Sequence, residues 1–234
     1  MAVGSKTFPE DSSAGVAVYG EKSVSKTDVR GGQDWAEVLL AFVGLELVLW
    51  TPRSIAHGLV IALVVGGVVW SSLRRNSAKE LGLAWPAART TAWTVAAGIM
   101  VAIALPLSVW LMGRPVPANP GWPKLGNILP YIVWAFGQQF LLNSFFFLRL
   151  ESRLGARWAV GASSVLFTFA HVPNLALTAM TVAGALFFTE MFRRYRSILP
   201  LGIAHAMLGL AVACSFPDSI MHHMRVGLGY WQFH

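Results

Sequence analysis

The stretch Tyr131–Leu150, YIVWAFGQQFLLNSFFFLRL, decides the fold class. It is long enough to cross a bilayer as one helix, since about 20 apolar residues span the hydrocarbon. Three amides interrupt it: Gln138, Gln139 and Asn143. Polar groups are costly in hydrocarbon, so an intramembrane cluster marks a candidate site. Two later segments carry their own clusters. One holds Phe167-Thr-Phe-Ala-His171 with Asn174; the other holds His205 and Gly209. Three clusters within the last four apolar segments predict one shared polar cavity.

The rest of the chain agrees with a membrane setting. Its 234 residues are 55% hydrophobic and 12% charged, with a mean hydropathy of +0.57. Soluble domains carry about 25% charge. The pattern predicts an all-α, polytopic bundle of about seven spans. These are Trp35–Trp50, Ser54–Ser72, Thr91–Met112, Asn127–Leu150, Arg157–Val172, Asn174–Phe192 and Ser197–Phe216. Trp35, Trp50, Trp70, Trp110 and Trp158 fall near span ends, where the amphipathic ring favours the interface. The prolines at 115, 117, 120 and 123 make residues 113–126 a loop. Residues 1–34 lack an apolar period and read as a disordered cytoplasmic tail. Residues 35–216 form the transmembrane domain. Residues 217–234 read as a segment over the extracytoplasmic mouth or at the interface, carrying His222, His223, Tyr230, Trp231 and Phe233.

The net charge of +7 does not indicate nucleic acid, because the basic residues sit between hydrophobic runs. With seven spans, one side holds Lys6, Lys22, Lys26, Arg30, Arg74, Arg75, Lys79, Arg89, Arg149, Arg153, Arg157, Arg193, Arg194 and Arg196. The other holds Arg53, Arg114, Lys124 and Arg225. The positive-inside rule then places the N-terminus in the cytoplasm and the C-terminus outside, with membrane lipid as the surrounding partner. A lone Cys214 excludes an internal disulfide and a cysteine-based zinc site, and no other metal set or cofactor is indicated.

Each candidate residue has a plainer reading. Gln138, Gln139 and Asn143 would serve as interhelical glue, worth about 0.6–2 kcal/mol per hydrogen bond. His171 ends a polar stripe of Ser164, Phe167, Thr168 and His171, just before the helix-breaking Pro173. That position suits a cavity residue or a satisfied core histidine. Gly202 and Gly209 flank His205 on one face and allow close helix approach. A neutral histidine there is either a structural bridge or an oxyanion donor.

These spacings resemble the CAAX protease and bacteriocin-processing family of intramembrane endopeptidases. The family pattern is Glu-Glu-x-x-x-Arg, Phe-x-x-x-His and His-x-x-x-Asn or Asp. Here the counterparts are Gln138-Gln139-x-x-x-Asn143, Phe167-x-x-x-His171 and His205-x-x-x-Gly209. The resemblance runs from about Tyr131 to Leu210. It implies a cofactor-free peptide hydrolase in a bacterial inner membrane, acting on a membrane-associated peptide or protein. It assigns catalytic positions to Gln138, Gln139, His171 and His205, with Asn143, Phe167, Asn174 and Gly209 in support. The departures imply an alternative, a silent relative that binds peptide or lipid or acts as a scaffold. Glutamine does not titrate and cannot serve as a general base. Glu46 is the one carboxylate at a matching depth, about ten residues or roughly 15 Å into the first span. It is either a surrogate base or the partner of another polar group such as Arg53. A transporter reading lacks inverted repeats or paired broken helices.

The charge asymmetry makes a direct prediction. A reporter fused after His234 should read extracytoplasmic and one inserted at Arg75 cytoplasmic. A cytoplasmic signal from the first fusion would mean an even number of crossings.

Overall fold

The computed structural model describes residues 26–113 and 125–232. Among them are helices α1 (Lys26–Trp50), α2 (Ile55–Arg75), α3 (Ala88–Leu111) and α4 (Leu125–Gln139). Next come a π-helical segment (Phe140–Phe147), α5 (Leu148–Leu154), α6 (Ala156–Phe169), α7 (Leu175–Tyr195) and α8 (Leu199–Ser215). The chain finishes with α9 (Asp218–Met221), a 3₁₀ turn (His222–Met224) and α10 (Leu228–Trp231). No strand occurs among the described residues, so the fold is all-helical as expected.

α2, α3, α7 and the run Ile128–Leu154 are each long and apolar enough to cross a membrane, and α8 with its bent continuation makes a fifth candidate. The chain is therefore a multi-pass membrane protein. About seven crossings are compatible with these elements. α1 is long but carries Asp34, Glu37 and Glu46. α6 has 14 residues and is about 21 Å long, shorter than the hydrocarbon core.

Two boundaries differ from expectation. α1 starts at Lys26 rather than Trp35, so residues 26–34 are helical and not tail. Asp34 and Glu37 have partners across the bundle, which gives this polar turn a reason to fold. Residues 1–25, the rest of the expected tail, lie outside the described residues, as does most of the proline-rich loop. The second difference is the π segment inside the fourth span, which no apolar period reveals. π-turns recur at functional sites, and this one follows directly on Gln139.

Local chemistry explains the other ends. Ser54 caps α2 by accepting from the His57 amide, and Arg74 and Arg75 sit at its negative end. Gly155 turns the chain between α5 and α6 at φ 77°, a conformation that suits glycine. Between the helices lies a phenylalanine core. Phe145, Phe146, Phe147, Phe167, Phe188 and Phe192 are all buried.

One charged network ties α1, α2 and α5 together. The Arg149 side chain is only 3% exposed. Its Nε donates to Glu37 at 2.7 Å, its Nη2 to the Ser71 hydroxyl at 2.8 Å, and its Nη1 to the Phe145 carbonyl at 3.3 Å. The guanidinium lies 3.7 Å from the Phe145 ring centroid. Arg75 joins through Asp34 and Glu37. Breaking a buried pair from one side costs about 3–5 kcal/mol, whereas apolar replacement of both partners is often neutral. Glu37 is partly exposed, so Glu37→Ala should cost roughly 2–3 kcal/mol, below that range. Denaturation in detergent checks this: the double variant Glu37→Leu/Arg149→Met should recover most of the loss. A double variant as unstable as the single one would show that specific charge pairing, not the arginine's burial, governs this end.

Candidate functional site

The site lies on the seam between α4 and α8, which pack antiparallel. Gly202 abuts the Phe136 ring, with 2.5 Å to a built Cβ, and Gly209 meets Tyr131 further along. On its other side α8 lies against α3, where a Cβ on Gly98 would come within 2.8 Å of the Ala204 Cβ. The expected helix glycines thus permit close approach, which brings His205 within side-chain reach of α4.

A neutral hydrogen-bond chain crosses this seam. The Asn143 amide donates to the Gln139 carbonyl oxygen at 2.8 Å. The Gln139 amide nitrogen lies 2.9 Å from His205 Nδ1. Gln139 and Asn143 are fully buried, so the chain runs through low-dielectric surroundings. Phe188 from α7 stacks on the His205 ring, with centroids 5.3 Å apart and planes at 19°. Asn143 Oδ1, Ser164 Oγ and Thr189 Oγ1 are buried without a hydrogen-bond partner among the described residues.

His171 sits in the turn after α6. Its Nδ1 is 2.8 Å from the Phe167 carbonyl oxygen, and its ring packs 5.0 Å from that of Phe167. The Phe-x-x-x-His spacing is therefore one helical turn in which the phenylalanine backbone fixes the imidazole.

These bonds fix both tautomers. A carbonyl only accepts, so neutral His171 carries its proton on Nδ1 and keeps a lone pair on Nε2. An amide nitrogen only donates, so His205 accepts at Nδ1 and carries its proton on Nε2. The pair presents one basic nitrogen and one N–H donor.

The other candidates serve different purposes. Gln138 makes no side-chain hydrogen bond to a described residue. Asn174 caps α7 by accepting from the Leu177 amide, while its own amide donates to the Met221 and Arg225 carbonyls. It thereby fastens the C-terminal segment beside His171. That segment also bonds through the Gly227 amide to the Val172 carbonyl, and Gly227 packs on Leu49 at the end of α1. Glu46 accepts from the Trp50 indole at 3.1 Å, a bond made within its own helix rather than to Arg53. Glu151 and Glu190 pair with arginines away from this seam. No group of three or more metal-ligating side chains occurs among the described residues.

Tyr131 was not singled out from the sequence. A Cβ built on Gly209 would fall inside its hydroxyl group. Its eight-residue spacing from Gln139, with the buried Ala135 between, places it on the same face of α4. That spacing was a usable signal, but only beside the knowledge that α8 packs there.

Comparison with known proteins gives one match and two blanks. No curated protein and no solved structure matches the chain. Residues 120–211 match the family model described as type II CAAX prenyl endopeptidase Rce1-like, a span that contains Gln138, Gln139, His171, His205 and Gly209. Over residues 120–211 this multi-pass membrane protein is thus similar to that family.

Proposed function

We propose that the protein is a slow intramembrane peptide hydrolase of a bacterial inner membrane, with its N-terminus in the cytoplasm. It acts on a membrane-associated peptide or protein. The observation that carries this reading is the complementary pair of histidine tautomers. His171 Nε2 takes a proton from water as the water oxygen attacks the scissile carbonyl carbon. The carbonyl oxygen becomes an oxyanion and accepts a hydrogen bond from His205 Nε2–H. Collapse of the tetrahedral intermediate breaks the C–N bond, and the imidazolium returns its proton to the departing amine. Gln139 holds the His205 tautomer and Phe167 that of His171.

A second reading is a silent relative that binds peptide or lipid. It is favoured by the Asn143–Gln139–His205 chain, which uses the glutamine amide at both ends. A carboxylate at position 139 would accept a hydrogen bond from His205 Nδ1–H instead, reversing the tautomer. General-base assistance contributes about 10²–10⁴-fold, so its weakening predicts slow turnover.

The test uses protein in liposomes and a prenylated C-terminal peptide, the substrate type named in the family description. Slow cleavage should be abolished by His171→Ala and unchanged by Glu46→Gln. Gln138→Glu, which leaves the Gln139–His205 bond intact, should raise it by about 10²-fold or more, by the general-base range, whereas adding Gln139→Glu should reverse the His205 tautomer and cancel the gain. Imidazole ¹⁵N shifts should place the proton on Nδ1 of His171 and on Nε2 of His205 in the native protein. No cleavage by either the native or the restored protein would leave the silent reading standing. Robust native cleavage lost in His171→Ala would remove it.

A further inference from the structure

The α1–α2 hairpin carries a cavity that the α4–α8 seam does not share. The two helices run antiparallel: Val48 bonds to His57, Gly44 closes on Val64, and Asp34 pairs with Arg75. At the Arg75 end lies an open groove of about 250 Å³, lined by Gln33, Ala36 and Leu40 of α1 and by Trp70, Ser71 and Arg74 of α2. Its charges do not balance. Glu37 also lines it, but one carboxylate oxygen accepts from Arg75 at 2.8 Å and the other from Arg149 at 2.7 Å. Asp34 is held by Arg75 and the Ser152 hydroxyl. Three arginines thus stand against two carboxylates, and the surplus cation is Arg74. Its guanidinium lies 4.9 Å from the Trp70 ring centroid and makes no ion pair with a described residue. The Gln33 carbonyl oxygen accepts from Arg75, which leaves its amide nitrogen as a donor. Beyond this polar rim the surface is apolar. Leu40, Trp70 and Leu73 are exposed, and α2 is long and apolar enough to cross a membrane, so these side chains meet acyl chains.

We infer that this groove binds the headgroup of an anionic phospholipid. Arg74 donates two N–H bonds to the phosphate oxygens in a fork. Trp70 supports the guanidinium from below and sits at headgroup level, where its amphipathic ring is favoured. Gln33 donates to a second headgroup oxygen, and the acyl chains run along Leu40 and Leu73. A zwitterionic headgroup brings its own cation, which gains nothing here because both oxygens of Glu37 are already engaged. Basic pockets beside membrane helices recognise anionic headgroups by this chemistry. The inference is independent of the hydrolytic reading.

The test uses the full chain in detergent, titrated with phosphatidylglycerol or phosphatidylcholine and read by native mass spectrometry. One phosphatidylglycerol should bind about fivefold more tightly than phosphatidylcholine, the factor that one basic residue contributes at a membrane surface. Arg74→Gln should remove this preference, and Arg74→Lys should keep part of it, as a charge without the fork. Ala36→Glu should also remove it, by placing a carboxylate in the groove with Arg74 unchanged. Arg89→Gln, at the start of α3, should leave it intact. Positions 36, 74 and 89 are all exposed, so these variants report on binding rather than folding. Absence of the preference in the native protein, or its survival in Arg74→Gln, overturns the site. An equal loss in Arg89→Gln overturns it too, since attraction would then be diffuse. Displacement of the lipid by inorganic phosphate, beyond the effect of chloride at the same ionic strength, would assign the groove to a free anion and overturn the lipid.

Discussion

Polar side chains placed in hydrocarbon must find partners inside the protein, and that constraint organises this molecule. The Asn143–Gln139–His205 chain is its central expression. Each group in it would be costly if left alone, and together they lock α4, the π segment and α8. Several single hydroxyls follow the same logic, although Ser164 and Thr189 are buried without a partner among the described residues. Ser163, Thr181 and Ser215 each bond back to a carbonyl four residues earlier in their own helix. At the polar end, Arg149 stays buried because Glu37, Ser71 and a carbonyl all meet it.

The chemistry of the seam follows from which partners were available. A glutamine at position 139 donates to a histidine without a proton moving, and so selects a neutral tautomer. A carboxylate there would draw a proton to Nδ1. An amide rather than an acid at position 139 therefore sets the hydrogen-bond polarity across the seam. His171 is set from the opposite direction, by a backbone carbonyl that any residue at 167 would supply. Phe167 contributes its ring as packing against the imidazole. Asn174 pins the C-terminal segment beside His171.

The helices and the bundle class were legible in the chain by itself. Long apolar runs, tryptophans near their ends and basic residues between them leave few alternatives, and most span ends moved by only a few residues. The spacings Phe167 to His171 and His205 to Gly209, two of the three elements of the pattern, were also readable, because a four-residue spacing on a helix means one face. Less visible were the start of α1 at Lys26 and the π segment. The first depends on Arg75 and Arg149 reaching Asp34 and Glu37 from distant parts of the chain. The second depends on a backbone register that apolar residues on every side do not record.

Sequence alone determined that polar groups at Gln139, Asn143, His171 and His205 interrupt or adjoin apolar runs, since that follows from their place in the chain. Tertiary structure alone decided what each one touches. Gln139 and His205 are 66 positions apart, and their bond exists because glycines let α8 close on α4. Glu46 was expected at a suitable depth, yet depth says nothing of azimuth, and its bond goes to Trp50 of its own helix. Tyr131 shows the same limit from the other side. It is an ordinary aromatic in an apolar run until Gly209 arrives opposite, because a side chain's environment is set by the neighbouring helix and not by its own.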